Sequence, residues 1–240
     1  MAERKTHTVV SAGKTEAGQQ ILQANKAGSA TGYRVGAIVL WVLAIVAELV
    51  AVFYLFGKFE MTFMPGLWFL IGLIVLDLVF VIIGSQLWKK ANHIKPASKK
   101  NAFLFWLWNN MGVVVACFAF FPLIIIMLTN KDLDKKTKTI ATIAAVVALL
   151  IGGAASIDYN PISQEEQMAA GQAITADVYW TQFGKVYHTH QDCAHLNHTD
   201  TLYTESVAEA IAAGKTRLCK TCANRDSIDT TGILTEENAD

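Results

Sequence analysis

The hydrophobic positions of this chain gather into four long runs, after which the pattern changes. Val35–Phe56, Leu67–Leu87, Ala102–Leu128 and Ile140–Ile157 are almost wholly apolar. A helix needs about 20 such residues, at about 1.5 Å each, to cross a bilayer. Lipid offers no partner for an unpaired backbone group, so the runs predict four membrane helices. Beyond Ile157 the apolar positions become short and β-rich. "VYWT" and "KVYH", separated by Gln182-Phe183-Gly184, read as a hairpin with glycine at its turn. "SVAEAIAAG" reads as a helix with Ser206 as N-cap, Glu209 three residues on, and Gly214 closing it.

These elements predict a mainly α protein, a four-helix transmembrane bundle followed by a small α+β module. The expected divisions are a flexible tail over 1–34, the spans over 35–157 (35–56, 67–87, 102–128, 140–157), a linker or short amphipathic helix over 158–176, the module over 177–226, and a flexible tail over 227–240. Composition agrees, with 53% hydrophobic and 17% charged residues against about 25% charged in ordinary soluble domains. The first 34 residues have no apolar core of their own, so the first span is expected to act as the insertion signal. Trp41, Trp68, Trp88, Trp106 and Trp108 fall towards the span ends, as interfacial aromatics do.

Charge bears on orientation more than on partners, because twenty basic and twenty acidic residues cancel. Five basic residues precede the first span and five lysines lie between Lys89 and Lys100; the other face holds Lys58, Lys131, Lys135, Lys136 and Lys138. Ten against five favours both termini on the cytoplasmic side.

Inside the spans, four polar residues stand out: Glu48, Asp77, Asn109 and Asn110. Counted along antiparallel helices, they fall within about two turns of depth. A mid-bilayer acid costs roughly 2.5–3.5 kcal/mol and usually faces the bundle. No basic residue within the runs could pair with either acid. An ion or proton site and a structural hydrogen-bonded acid both remain open. Pro122 is expected to kink the third span. In the fourth, Ala144, Ala148, Gly152 and Ser156 form a small-residue stripe, for packing within the bundle or for self-association.

The densest chemistry lies near the end. "GKVYHTHQDCAHLNH" holds four of the six histidines and one of four cysteines, and "RLCKTC" adds Cys219 and Cys222. A Cys-x-x-Cys turn brings two thiolates to one tetrahedral ion; Cys193 and either His188 or His190 complete four donors of the kind zinc takes. A module of some fifty residues needs such a staple. The pair could instead be a dithiol redox centre or, on an oxidising side, a disulfide. His190, His195 and His198 could form a second, weaker site. Cys117, within the third span, reads as a small apolar side chain.

"VYWTQFGKVYHTHQDCAHL", "VAEAIAAG" and "LCKTC" resemble a small zinc-module family related to the metal-binding domain of the Ada DNA-repair protein, over about 178–222. The resemblance implies one structural zinc held by His188, Cys193, Cys219 and Cys222, with His190 left out. The spacing from Gly214 to Cys219 is one residue longer than in that pattern. Ada transfers a methyl group at a four-thiolate site; an imidazole replaces one thiolate here, which argues against that chemistry. Residues 178–226 carry five basic and five acidic side chains, whereas DNA binding needs a positive excess. More loosely, the first 160 residues resemble bacterial four-helix membrane proteins that end in such a module.

The sequence therefore predicts an inner-membrane protein presenting a zinc-stabilised binding or regulatory module to a protein partner. The alternative is a small cation or proton transporter using Glu48 and Asp77. No nucleophile–base pair and no open metal position suggest an enzyme.

Overall fold

The computed structural model describes residues 7–11, 30–60, 62 and 65–235. The elements, in chain order, are β1 (Thr8–Ser11), α1 (Ala30–Leu55), α2 (Gly66–Ile94), α3 (Ala102–Asn109), α4 (Met111–Thr129), α5 (Lys135–Ser156), α6 (Gln164–Ala173), β2 (Val178–Trp180), β3 (Val186–His188), a 3₁₀ turn (Ala194–Leu196), β4 (Thr201–Glu205), α7 (Val207–Ala212), β5 (Arg217–Leu218) and α8 (Lys220–Arg225). They form two compact units. A helical unit holds Tyr33–Lys89 and Trp106–Asp158. A sheet unit holds the described residues of Met1–Gly32, Lys90–Phe105 and Tyr159–Asp240.

In the helical unit, α1, α2, α4 and α5 are each long and apolar enough to cross a membrane. Large apolar side chains such as Val42, Ile83, Phe118 and Leu150 point outward and are exposed, the surface that a lipid-facing bundle presents. Inward, small residues let the helices close on one another: Ala44 and Ala51 of α1, Ala116 and Ala119 of α4, and Ala141, Ala145 and Ala148 of α5 pack around Phe120, Leu70 and Leu123. The stripe on α5 belongs to this interior. Ala148, Gly152 and Ser156 are buried, with Ala145 and Ala141 continuing the line, whereas Ala144 packs at its margin. A Cβ on Gly152 would lie 3.1 Å from Leu78 and 3.6 Å from Phe120. Asp134 caps α5 by accepting from the Thr137 amide at 2.9 Å.

The third span departs from its expectation. It is two helices, broken at Asn110, and α4 continues through Pro122. The break frees backbone groups, and side chains take them up. The Trp106 carbonyl accepts from the Asn110 amide nitrogen at 3.0 Å and from its side chain at 2.9 Å. Trp88 donates its indole N–H to the Trp108 carbonyl at 2.7 Å. Trp41 and Trp88, expected at the lipid interface, are buried instead, 5.3 Å apart, with Trp108 5.0 Å from Trp88. The helix interruption needs the Trp88 indole as a donor, and that draws the rings inward.

The sheet unit is built on five strands in the order β1-β4-β2-β3-β5. β2 and β3 form the expected hairpin, with Trp180 opposite Tyr187 and Tyr179 opposite His188. Gly184 donates to the Thr181 hydroxyl at 3.0 Å across its turn. β4 pairs antiparallel with β2, and β5 pairs parallel with β3. Trp180, Tyr187, Val178, Ile211 and Leu218 fill the core between sheet and helices. α7 ends at Gly214, whose φ of +82° suits glycine. That conformation lets the Lys215 amide reach Ala210 O at 2.9 Å and the Gly214 amide reach Ile211 O at 2.8 Å, the paired closing bonds of a Schellman motif.

Two stretches outside the spans and the module hold structure, the first as the short helix that was one reading of it. Within 158–176, α6 starts with a full capping box in which Ser163 and Glu166 exchange hydrogen bonds. Within the expected amino-terminal tail, Thr8–Ser11 pairs in parallel with Thr201–Thr204 of β4. His7 donates to Thr199 O at 2.8 Å, and the Ser11 hydroxyl donates to Glu205 at 2.9 Å. Beyond Asp226, Ile233 is buried and Thr235 bridges to Leu218. Residues 30–34 of the expected first tail belong to α1, and residues 1–6, 12–29 and 236–240 lie outside the described residues.

Candidate metal centre

Three segments of the backbone deliver the donors. His188 ends β3, Cys193 precedes the 3₁₀ turn, Cys219 lies between β5 and α8 as the N-cap residue of α8, and Cys222 is in the first turn of that helix. Residues three apart on a helix share a face, so both cysteines of the pair point one way. The Cys219 amide donates to Tyr187 O at 2.9 Å, fixing the knuckle against β3. All four donors are buried, and their ligand atoms lie within 4.8 Å of one another.

The donor distances fit one tetrahedral ion. Zinc–sulfur bonds of about 2.3 Å imply sulfur–sulfur edges of roughly 3.8 Å and slightly shorter sulfur–nitrogen edges. Cys193 Sγ and Cys219 Sγ are 3.8 Å apart, as are Cys222 Sγ and His188 Nδ1. A disulfide would need about 2.05 Å, and all four cysteines of the chain are free. Three soft sulfurs and one imidazole suit zinc better than a hard cation.

The electrostatics suit a dication as well. The hydrogen bond from Cys219, and further that with His188, hold the Cys222 thiol below its ordinary range. Cys219, as the donor, is pushed up correspondingly, and burial pushes Cys193 up. A thiolate held by two thiols and an imidazole N–H is a site from which a metal ion displaces the protons.

Around the donors, surface contacts hold the loop between His188 and Cys193 onto α8. Thr189 and His190 both reach Asp226, each at 2.5 Å, and Arg225 pairs with Asp192 at 2.7 Å. The Thr189 hydrogen bond, with His190 and Arg225 adding to it, holds the Asp226 carboxyl below its ordinary range. His190 thus turns away from the cluster to Asp226. His195 meets the Thr221 hydroxyl at 3.1 Å and His198 is exposed, so these three histidines face different neighbours. Cys117 lies on the exposed face of α4. The Cys-x-x-Cys pair does open a helix, as in dithiol centres, but Cys193 and His188 share its pocket.

The intramembrane residues divide into two places. Asn110 accepts from the Asp158 amide at 3.1 Å, and nearby the Ser156 hydroxyl donates to Ser85 at 2.8 Å. Lys89 donates to the carbonyls of Ala155 at 2.8 Å and Ile157 at 3.3 Å. Asn109 is buried at the same break. Ser85 is about 12 Å along α2 from Asp77. Glu48 and Asp77 are both buried in the helical core, within electrostatic range of each other.

The strand β4, like β1 and β5, is an element that the sequence reading passed over. Its β-favouring residues in "TLYT", with Leu202 and Tyr203 buried, were the available signal.

Comparison of the chain with known protein families, curated proteins and solved structures finds no match. The architecture itself is a mostly helical chain with four membrane-span-capable helices and a small sheet unit whose His188, Cys193, Cys219 and Cys222 could hold a metal ion.

Proposed function

We propose that this chain is an integral membrane protein whose helical bundle anchors a zinc-stabilised module, and that the module binds or regulates a protein partner at the membrane surface. The convergence of four buried donors within 4.8 Å carries the reading. Zinc bound there joins β3, β5, α8 and the 3₁₀ turn, and supplies folding free energy to a small unit. With all four positions taken by protein groups, the ion keeps no open site for substrate. That favours recognition over catalysis and accords with an Ada-like module without methyl transfer.

The pairing of β1 with β4 supports both ends of the chain lying on one side, as four crossings require. The basic residues before α1 and after α2 favour the cytoplasm of a bacterial cell as that side. A transporter would need a polar route from the acids to both faces. Between Asp77 and Ser85, α2 offers Val81 to the interior, which speaks for the binding reading.

Metal analysis of the purified full chain tests the proposal. One zinc per chain in the wild type, lost in Cys219→Ser, is the expected result. A metal-free wild type with a Cys219–Cys222 disulfide would overturn it.

A further inference from the structure

Asp77 is the most deeply placed ionisable side chain of the helical unit. It is 1% exposed, and both its carboxylate oxygens are buried without a hydrogen-bond partner among the described residues. Ile74 and Val81 flank it on α2, as Ala44 and Ala51 flank Glu48 on α1, and all four belong to one apolar core with Ala116, Phe120, Ala145 and Ala148. Glu48 is likewise buried, 8% exposed, on the face of α1 that carries Ala44 and Ala51 into that core. The remaining ionisable groups of the packed helices lie elsewhere. Arg34 sits against Trp88 and Trp108, Lys89 caps α5 at the same end, Lys138 donates to Asn130 O at the other end, Tyr54 packs on Phe59 and Phe69, and Cys117 faces outward.

Two carboxylates in such surroundings need a cation. A metal ion would need about six oxygen ligands, and the aliphatic neighbours supply none. A proton needs only a carboxyl oxygen to bind, and neutralises the acid it joins. We propose that Glu48 and Asp77 form a proton-binding site within the bilayer, which takes up and releases one proton without any redox change. Glu48 is the entry member. It is 8% exposed and about 10 Å from the end of α1 at Leu55, against about 16 Å from Asp77 to the start of α2 at Gly66. Exchange therefore runs to the end of the bundle where Asn130 bonds Leu55 O at 2.7 Å. At the opposite end, Ser85, Ser156, Asn110 and Lys89 are engaged with one another and with backbone. The site is one-sided, which fits a sensor of proton concentration rather than a through-path, and it stands independently of the metal module.

The test is labelling of the full chain in liposomes with dicyclohexylcarbodiimide, an apolar reagent that modifies protonated carboxyl groups, mapped by peptide mass spectrometry between pH 5 and pH 9. Labelling of Asp77 that is strong at pH 5 and falls on the order of tenfold by pH 9, with a different pH profile in Glu48→Gln, is the expected result. Labelling that stays constant over this range would mean a fixed structural acid and would overturn the proposal. So would the absence of labelling throughout, or a profile indifferent to Glu48→Gln. The wild-type profile decides the first two outcomes even if a variant folds poorly.

Discussion

Replacing Cys219 with serine removes one donor while leaving the backbone almost untouched. The residue's N–H bond to Tyr187 O at 2.9 Å and its place as N-cap of α8 can both persist. The change therefore isolates the metal's contribution. A structural zinc of this kind contributes on the order of 10–16 kcal/mol in small domains, whereas a domain of this size is stable by only about 5–10 kcal/mol. Packing cannot make up the difference on the donor side. The core there consists of Cys193, Leu196, Leu202, Cys219 and Cys222, with Tyr179 and Val186 against it. Three of those five buried residues are the donors themselves. The segment from Arg217 to Arg225 should open when the ion is lost, freeing the backbone at Arg217, Lys220 and Arg225 from strand and helix for cleavage by trypsin. Limited proteolysis of the full chain, read by mass spectrometry, should show cleavage at these residues faster by on the order of tenfold or more, with zinc content falling in parallel. Cleavage within α1, α2, α4 and α5 should not change, because their core shares no residue with the donors. If Cys219→Ser lost its zinc yet kept wild-type protection at Arg217, Lys220 and Arg225, packing alone would hold the knuckle and the staple argument would fail.

Tyr187 is fully buried and its hydroxyl has no partner among the described residues, so Tyr187→Phe should raise the melting temperature of the sheet unit, a gain of about 1 kcal/mol; a fall would show a hydrogen bond there. Gly112→Ala would put a Cβ 2.0 Å from the Ser85 hydroxyl and 3.0 Å from Ser156 Cβ. It should destabilise the bundle by about 1–3 kcal/mol, read as an earlier loss of monodisperse protein on heating in detergent. Lys215 is buried, donates to Gln182 O at 2.9 Å and Gly184 O at 2.7 Å, and is lowered by desolvation from 10.5 to about 8. The unfolded chain then holds that proton more tightly, so this group's contribution to stability should rise as pH rises from about 8 to about 10.5; comparing denaturant midpoints of wild type and Lys215→Met across that window measures it. Removing residues 1–11 should leave zinc content unchanged while amide exchange in Thr201–Glu205 accelerates, since β1 covers the edge of β4.

Much of the architecture was legible because it depends on local pattern. Long apolar runs imply helices wherever lipid excludes water, and Gly214 after "VAEAIAA" marks a helix end whatever surrounds it. The hairpin across Gln182-Phe183-Gly184 and the Cys219–Cys222 knuckle are equally local. Other features were not legible because they arise from partners distant in the chain. Thr8–Ser11 is too short to declare itself a strand and becomes one only at the free edge of β4. Asn110 interrupts the third span, where Pro122 was the stronger local breaker, because Trp88 and Asp158 meet the polar groups exposed there. Trp41 and Trp88 read as interfacial by position, yet stack inside the bundle.

Sequence alone determined that the chain has four apolar runs long enough to cross a membrane and that its last part carries thiol and imidazole donors at metal-binding spacing, because hydrophobicity and a two-residue gap are properties of neighbours. Tertiary structure decided which histidine joins the cluster: His188 ends β3 facing Cys222, whereas His190, two residues on, turns to Asp226. It also separated the intramembrane residues, leaving Glu48 and Asp77 together in the core and drawing Asn110 to the helix ends. Those outcomes depend on packing between segments far apart in the chain, where a side chain goes to the partner that the fold brings within reach.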